Sequence, residues 1–211
     1  MARRMSEDWF REEQWHHRND AHIAPINEFV DELRRIPSRD TVPYIAPMYG
    51  GVNARLLSVL RDPGPKTQQA KGGSGFLCME NDDATAEAIC NLFDDAGIDA
   101  GDIIPWNVYP WYINRAPKAA ELNAGVAPLK CIIDLLPNLR VVVLHGDSTY
   151  DGWKRLTRQF PTIVALRGFH VIKTYHTSRQ AFWRGDPLVR EARKRHLYES
   201  FQEAAQCLQD D

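Results

Sequence analysis

The chain has 211 residues, 44% apolar and 26% charged, with 26 Lys and Arg against 28 Asp and Glu for a net charge of -2. That length supports one good-sized domain with its own core, expected as a single unit over 1–211. No apolar stretch reaches the length of a membrane span, and Ala2-Arg3-Arg4 runs into polar residues rather than a signal sequence, so a cytoplasmic location is expected. The near-neutral total does not announce a nucleic-acid binder, but a local basic rim can supply phosphate contacts within it.

Residues 8–20 are polar and aromatic and read as a helix or mobile arm, with 1–22 as a whole a possible helical arm. Residues 23–36 carry apolar side chains at helical spacing (Ile26, Phe29, Val30, Leu33), and Pro37 stops the helix. A loop rich in Pro and Gly follows over 43–51. Residues 55–60 read as the first strand. Asp82 or Asp83 is placed to cap a helix that runs to Ala96 and ends at Gly97. Ile103-Ile104 reads as a second strand, and Pro105 leaves its continuation toward Val108 open. A helix over 119–136 is expected to break near Gly125 and Pro128. The run 140–144 is apolar throughout and reads as a strand buried on both faces. Residues 151–160 read as a helix, 170–174 as the last strand, and 187–208 as a closing helix. Strands separated by helix-length segments predict an α/β fold: a three-layer α/β/α sandwich around a central, mainly parallel four-stranded sheet.

Cys78, Cys90, Cys131 and Cys207 are scattered without a Cys-x-x-Cys pair, which argues against a zinc site and an iron–sulfur cluster. Cys90 and Cys131 read as core residues on apolar helical faces. None of the segments that contain His has metal-ligand partners at suitable spacing, so neither metal nor organic cofactor is expected.

Arg61-Asp62-Pro63-Gly64-Pro65 sits directly after the first strand. A carboxylate there lies where open α/β sheets put their chemistry, although Asp-Pro-Gly alone is also a common turn. Tyr175-His176-Thr177-Ser178-Arg179 follows the last strand in the same way. An acid and a histidine at two strand ends point to one shared cleft. Two further segments fall at or after strand ends, Gly72-Gly73-Ser74-Gly75-Phe76 and Trp106-Asn107-Val108-Tyr109-Pro110.

The order and character of these four segments resemble the uracil-DNA glycosylase superfamily over about 43–182. The Asp-Pro start is similar to the main uracil-excising branch, and the Gly-Pro that follows is similar to the single-strand-selective and mismatch-specific branches. The resemblance implies that Asp62 positions water and stabilises an oxocarbenium-like sugar cation. It implies that Gly64 stands where the main branch has a tyrosine against the thymine methyl group, so 5-substituted pyrimidines are excluded less strongly. Phe76 matches the aromatic that stacks on the extruded base, although a lone Phe is as readily core. Asn107 matches the asparagine that reads the Watson–Crick edge of uracil, donating to O4 and accepting from N3–H. His176 matches the histidine that hydrogen-bonds O2 as charge develops on the leaving base.

Pro65 and Ser178 are implied DNA contacts, Arg179 is the implied wedge into the duplex, and Arg184, with Lys66, Lys71 and Lys173, completes the implied basic rim. Two departures stand out: Leu60-Arg61 replaces the glycine that usually opens the first motif, and Thr177 replaces the proline after the histidine. The resemblance implies a monomeric, monofunctional enzyme acting on DNA that holds a damaged or deaminated pyrimidine. Two other functions stay open: a relative that binds lesions with little catalysis, and an α/β hydrolase or binding domain for a free nucleoside or small metabolite.

Overall fold

Leu56–Leu60 forms the strand on which the fold is organised, four of its five residues being buried. A computed structural model describes residues 3–37, 39, 41–178 and 186–209. Helices α1 (Asp8–His16) and α2 (Ala24–Arg34) precede a short strand β1 (Tyr44–Ile45), and Leu56–Leu60 is β2. Then come β3 (Phe76–Leu77), α3 (Ala84–Asp95) and β4 (Ile103–Asn107). Helices α4 (Ala119–Ala124) and α5 (Val126–Leu135) lead to β5 (Val141–His145). Helices α6 (Asp147–Gln159) and α7 (Ile163–Arg167), strand β6 (His170–Thr174) and helix α8 (Pro187–Gln209) complete the order.

The main sheet has the order β4-β2-β5-β6, and every pair is parallel. From β2 the chain goes to β4 on one side and then crosses to β5 on the other, so the winding reverses at β2. Such a reversal opens a crevice beyond the carboxyl ends of the strands. Helices pack on both faces. Trp106 points to one face, where Phe29 of α2 stacks on it at 6.3 Å, and His145 points to the other, where Phe201 of α8 lies 5.9 Å away. Phe93 of α3 meets Phe201 at 4.8 Å, so α3 and α8 share that second face. This is the α/β architecture with a parallel four-stranded sheet that the segment pattern predicts.

Several elements differ from expectation for identifiable reasons. β4 runs through Pro105 to Asn107. It is an edge strand, so the missing N–H of proline has no second neighbour to serve. The long central helix does break at Gly125, where a Cβ would lie 1.9 Å from the carbonyl oxygen of Val108, but it does not break at Pro128, which sits in the first turn of α5. The loop over 43–51 begins with β1, which pairs in parallel with β3 as a second, two-stranded sheet. Helix α6 starts at Asp147, four residues before the expected start, and α7 is an additional helix.

Cys131 is exposed rather than core, because α5 turns that flank away from the sheet, while Cys90 is buried as expected. The N-terminal segment is a docked helix rather than a loose arm. Met5 and Phe10 are buried, Met5 donates its N–H to the carbonyl of Glu80, and Trp15 packs on Phe76. Among the described residues, no helix is long and apolar enough to cross a membrane.

Candidate active site

Six of the residues expected to act together converge on one cavity of about 600 Å³ at the carboxyl ends of β2, β4 and β6. Asp62, Gly64, Pro65, Asn107, His176 and Ser178 all line it. Register explains why. Leu60 pairs with Asn107, and the amides of Val108 and Tyr109 continue the pairing by bonding the carbonyls of Leu60 and Arg61. Asp62 lies two residues beyond β2 and His176 two beyond β6, and both line this opening.

Asp62 is held close to its sequence neighbour. Its Oδ1 accepts a hydrogen bond from Arg61 Nε, and its side chain is only 2% exposed. Oδ2 is buried without a hydrogen-bond partner. Desolvation pushes the carboxyl pKa up, against the opposing pull of Arg61 and of the backbone N–H groups of Asn114 and Arg115.

His176 accepts a hydrogen bond at Nδ1 from the Ser178 N–H at 3.0 Å, which places the proton of the neutral ring on Nε2. Burial and the Arg61 guanidinium push its pKa down to about 4, with Asp83 acting weakly the other way. At neutral pH it is therefore an uncharged donor. Asn107, at the last position of β4, is 1% exposed, and its Oδ1 has no hydrogen-bond partner. A buried acceptor that the fold leaves unpaired costs stability unless a ligand or water meets it.

Gly64 has no atom within 4 Å of where a Cβ would stand, so its side of the cavity is open. Phe76 is not in the cavity, which corrects the expected stacking platform. It is fully buried, with Trp15 at 4.6 Å and Tyr44 at 6.3 Å. Successive side chains on a strand point to opposite faces, so β3 turns Phe76 to the core and Leu77 to the cavity. Leu77, Cys78 and Met79 form the wall that Phe76 was expected to form, and Met79 is fixed by donating its N–H to Tyr49 Oη at 2.7 Å.

Ser58 and His145 were also missed. Ser58 lines the cavity and its Oγ lies 3.0 Å from His145 Nε2, a buried pair joining neighbouring strands. Burial pushes the His145 pKa down to about 3, and His176 adds to that.

Of the residues expected in the basic rim, the three lysines are described. Lys66 is ion-paired with Asp82 at 3.2 Å, and Lys71 donates to Tyr112 Oη at 2.8 Å. Lys173 lies over the Tyr150 ring, 5.9 Å from its centre. Arg179 and Arg184 lie outside the described residues. Among the described residues, no three His, Cys, Asp or Glu side chains gather as metal ligands would. No known protein family matches the sequence, and no curated protein matches it significantly.

Proposed function

We propose that the chain is a monofunctional DNA glycosylase of the uracil-DNA glycosylase type, with the fold of that superfamily. It flips a deaminated or modified pyrimidine, uracil first among them, into the cavity and hydrolyses its N-glycosidic bond. The observation that carries this reading is the convergence of Asp62, Asn107 and His176, three distant segments, on one cavity. In the reaction, the C1′–N1 bond breaks with its electron pair moving onto the base. Neutral His176 donates from Nε2 to O2 as that charge grows, and Asn107 holds the far edge of the ring. The Asp62 carboxylate faces the sugar cation, orients the attacking water and takes its proton, so water oxygen ends on C1′ and the base leaves. No lysine is assigned to Schiff-base chemistry, so strand cleavage by the enzyme itself is not proposed.

A second reading is favoured by one observation. Asp62 is already engaged by Arg61, which stands where the family pattern has glycine, and a carboxylate so occupied polarises water less well. That favours a lesion-binding relative with little turnover.

The deciding experiment is alkali-revealed strand cleavage of labelled oligonucleotides carrying one uracil, single-stranded or opposite G or A. Cleavage that is lost in both Asp62→Ala and His176→Ala establishes the enzyme. Tight binding of the uracil strand without cleavage establishes the lesion binder. Neither binding nor cleavage with any damaged pyrimidine removes both readings.

A further inference from the structure

The cavity is deeper than the pyrimidine that its mouth is arranged to hold. Along a parallel strand, two residues advance about 6.6 Å. Asp62 and His176 mark the outer level, and Asn107 beside Leu60 lies one such step inward. Ser58 beside Pro105 lies a second step in, and Ile103 a third. Leu60, Asn107, Ser58, Pro105 and Ile103 share one face of the sheet, and together with Asp62 and His176 beyond the strand ends they line the same cavity.

The roof runs just as deep. Ala84, Thr85, Ala86, Ile89 and Phe93 of α3 line the cavity over about 14 Å of helix, at 1.5 Å per residue. Asp83, whose charge acts on His176, marks its mouth end. A pyrimidine with its glycosidic bond at the level of Asp62 and its far edge at Asn107 fills one step. About 13 Å of cavity, from Asn107 to Ile103, lies beyond it.

That inner arm is apolar. Its floor is Pro105 and Ile103 and its roof Ala86, Ile89 and Phe93, and of the hydroxyls near it Ser58 is paired with His145 and Tyr49 accepts from the Met79 N–H. We infer that the site takes a pyrimidine enlarged by an apolar group on the edge remote from the sugar, the class of O4- and N4-alkylated bases, with the alkyl chain lying between α3 and β4. This rests on the glycosylase reading. The Asn107 NH₂ can face the bare ring N3 of either kind of base, and an N4-alkylated base also offers its N4–H to the unpaired Oδ1. The reaction is the same hydrolysis, the alkyl group leaving with the base.

The test compares excision of uracil, O4-butyluracil and 5-butyluracil from otherwise identical oligonucleotides. Calorimetry of the corresponding free bases runs in parallel as a readout independent of turnover. The butyl chain buried in the arm should raise kcat/KM for the O4-butyl base, and its free-base affinity, at least about tenfold over uracil. Ala86→Leu and Ile89→Phe, which fill the arm from the roof, should erase that gain and leave uracil unchanged. Uracil excised while the O4-butyl base is refused overturns the inference alone. A gain for 5-butyluracil only moves the room to the Gly64 side and overturns it too. Failure to excise any base, with no preference among the free bases, removes the glycosylase reading and this inference together.

Discussion

An Arg–Asp pair stands at each end of β2, and the two pairs are built differently. At the amino end, Arg55 donates from Nε to Asp102 Oδ1 at 2.7 Å and from Nη2 to Oδ2 at 2.8 Å, while Nη1 reaches the Leu208 carbonyl at 2.8 Å. Both oxygens of that carboxylate have donors, and the pair ties β2 to the end of α8. At the carboxyl end, Arg61 serves one oxygen of Asp62, and the other is buried without a partner. Asn107 Oδ1 and His145 Nδ1, near the same end of the sheet, are also buried and unpaired. The amino end is satisfied by the fold itself. The carboxyl end holds polar groups that the fold leaves for something else, and such local failures of polar satisfaction are where function is expected.

Removing each carboxylate in turn is the strongest way to break this comparison. Asp62→Ala should lower excision about 10³-fold and leave thermal stability unchanged or higher, since it removes a poorly compensated buried carboxyl. Asp102→Ala should leave excision within a factor of about 2 and cost about 1 kcal/mol, because its partner Arg55 is about a third exposed. Strand cleavage and thermal melting on both variants are the readouts. If Asp102→Ala loses as much activity as Asp62→Ala, the two ends do not divide the labour.

Asn107→Asp comes next in size. It replaces the amide donor with an acceptor, so a base that offers an acceptor at its far edge loses its partner. Discrimination between uracil and cytosine should shift by about 10²-fold toward cytosine. Unchanged selectivity in competition assays would remove Asn107 from base reading.

How far the sequence revealed this arrangement depended on where each signal is stored. The order of the main elements is written in local pattern: the buried run Val141–His145 and the amphipathic stretches around it identify themselves. The meeting of Asp62, Asn107 and His176 was legible because each ends or follows a strand, and parallel strands carry their ends to one crevice. Phe76 was misplaced because a two-residue strand has too little sequence to show which face it turns. Ser58 and His145 were missed because each looks like an ordinary residue within an apolar run, and only register makes them a pair. The Arg61–Asp62 contact was likewise invisible in the chain order, since adjacent residues at a strand end do not reveal which way their side chains fold.

The pH dependence sharpens the comparison through the two histidines of the carboxyl end. His145 and His176 have folded pKa values pushed down to about 3 and about 4, against an ordinary 6.5. Below pH 6.5 the unfolded chain binds protons at both rings that the folded chain refuses. Stability is therefore unaffected above that pH and falls as the pH drops toward 4, by up to about 1.4 kcal/mol per pH unit for each ring. Asp62 works in the opposite sense: its raised pKa means that the folded chain takes up a proton first, which offsets part of the loss in the carboxylate range. Excision should stay level from pH 8 down past 6.5, because His176 is already neutral there. Melting temperature should fall between pH 7 and 5, and His145→Gln should remove about half of that fall. An unchanged fall in the variant would mean that His145 is not held neutral by burial.

The smallest expected effect separates core from cavity on the β3 wall. Phe76→Leu removes part of a ring packed on Trp15 and should cost about 1 kcal/mol of stability while leaving base preference alone. Met79→Ala, on the cavity side, should do the reverse. It removes a side chain that lines the cavity, so on the glycosylase reading KM for the lesion strand should rise several-fold. The pair is informative because both residues belong to one short segment, and a general loosening of that segment would move stability and KM together in each variant. A rise in KM confined to Met79→Ala shows that β3 splits its side chains between fold and site. The same effect from Phe76→Leu would restore the aromatic to the site through the residues it supports.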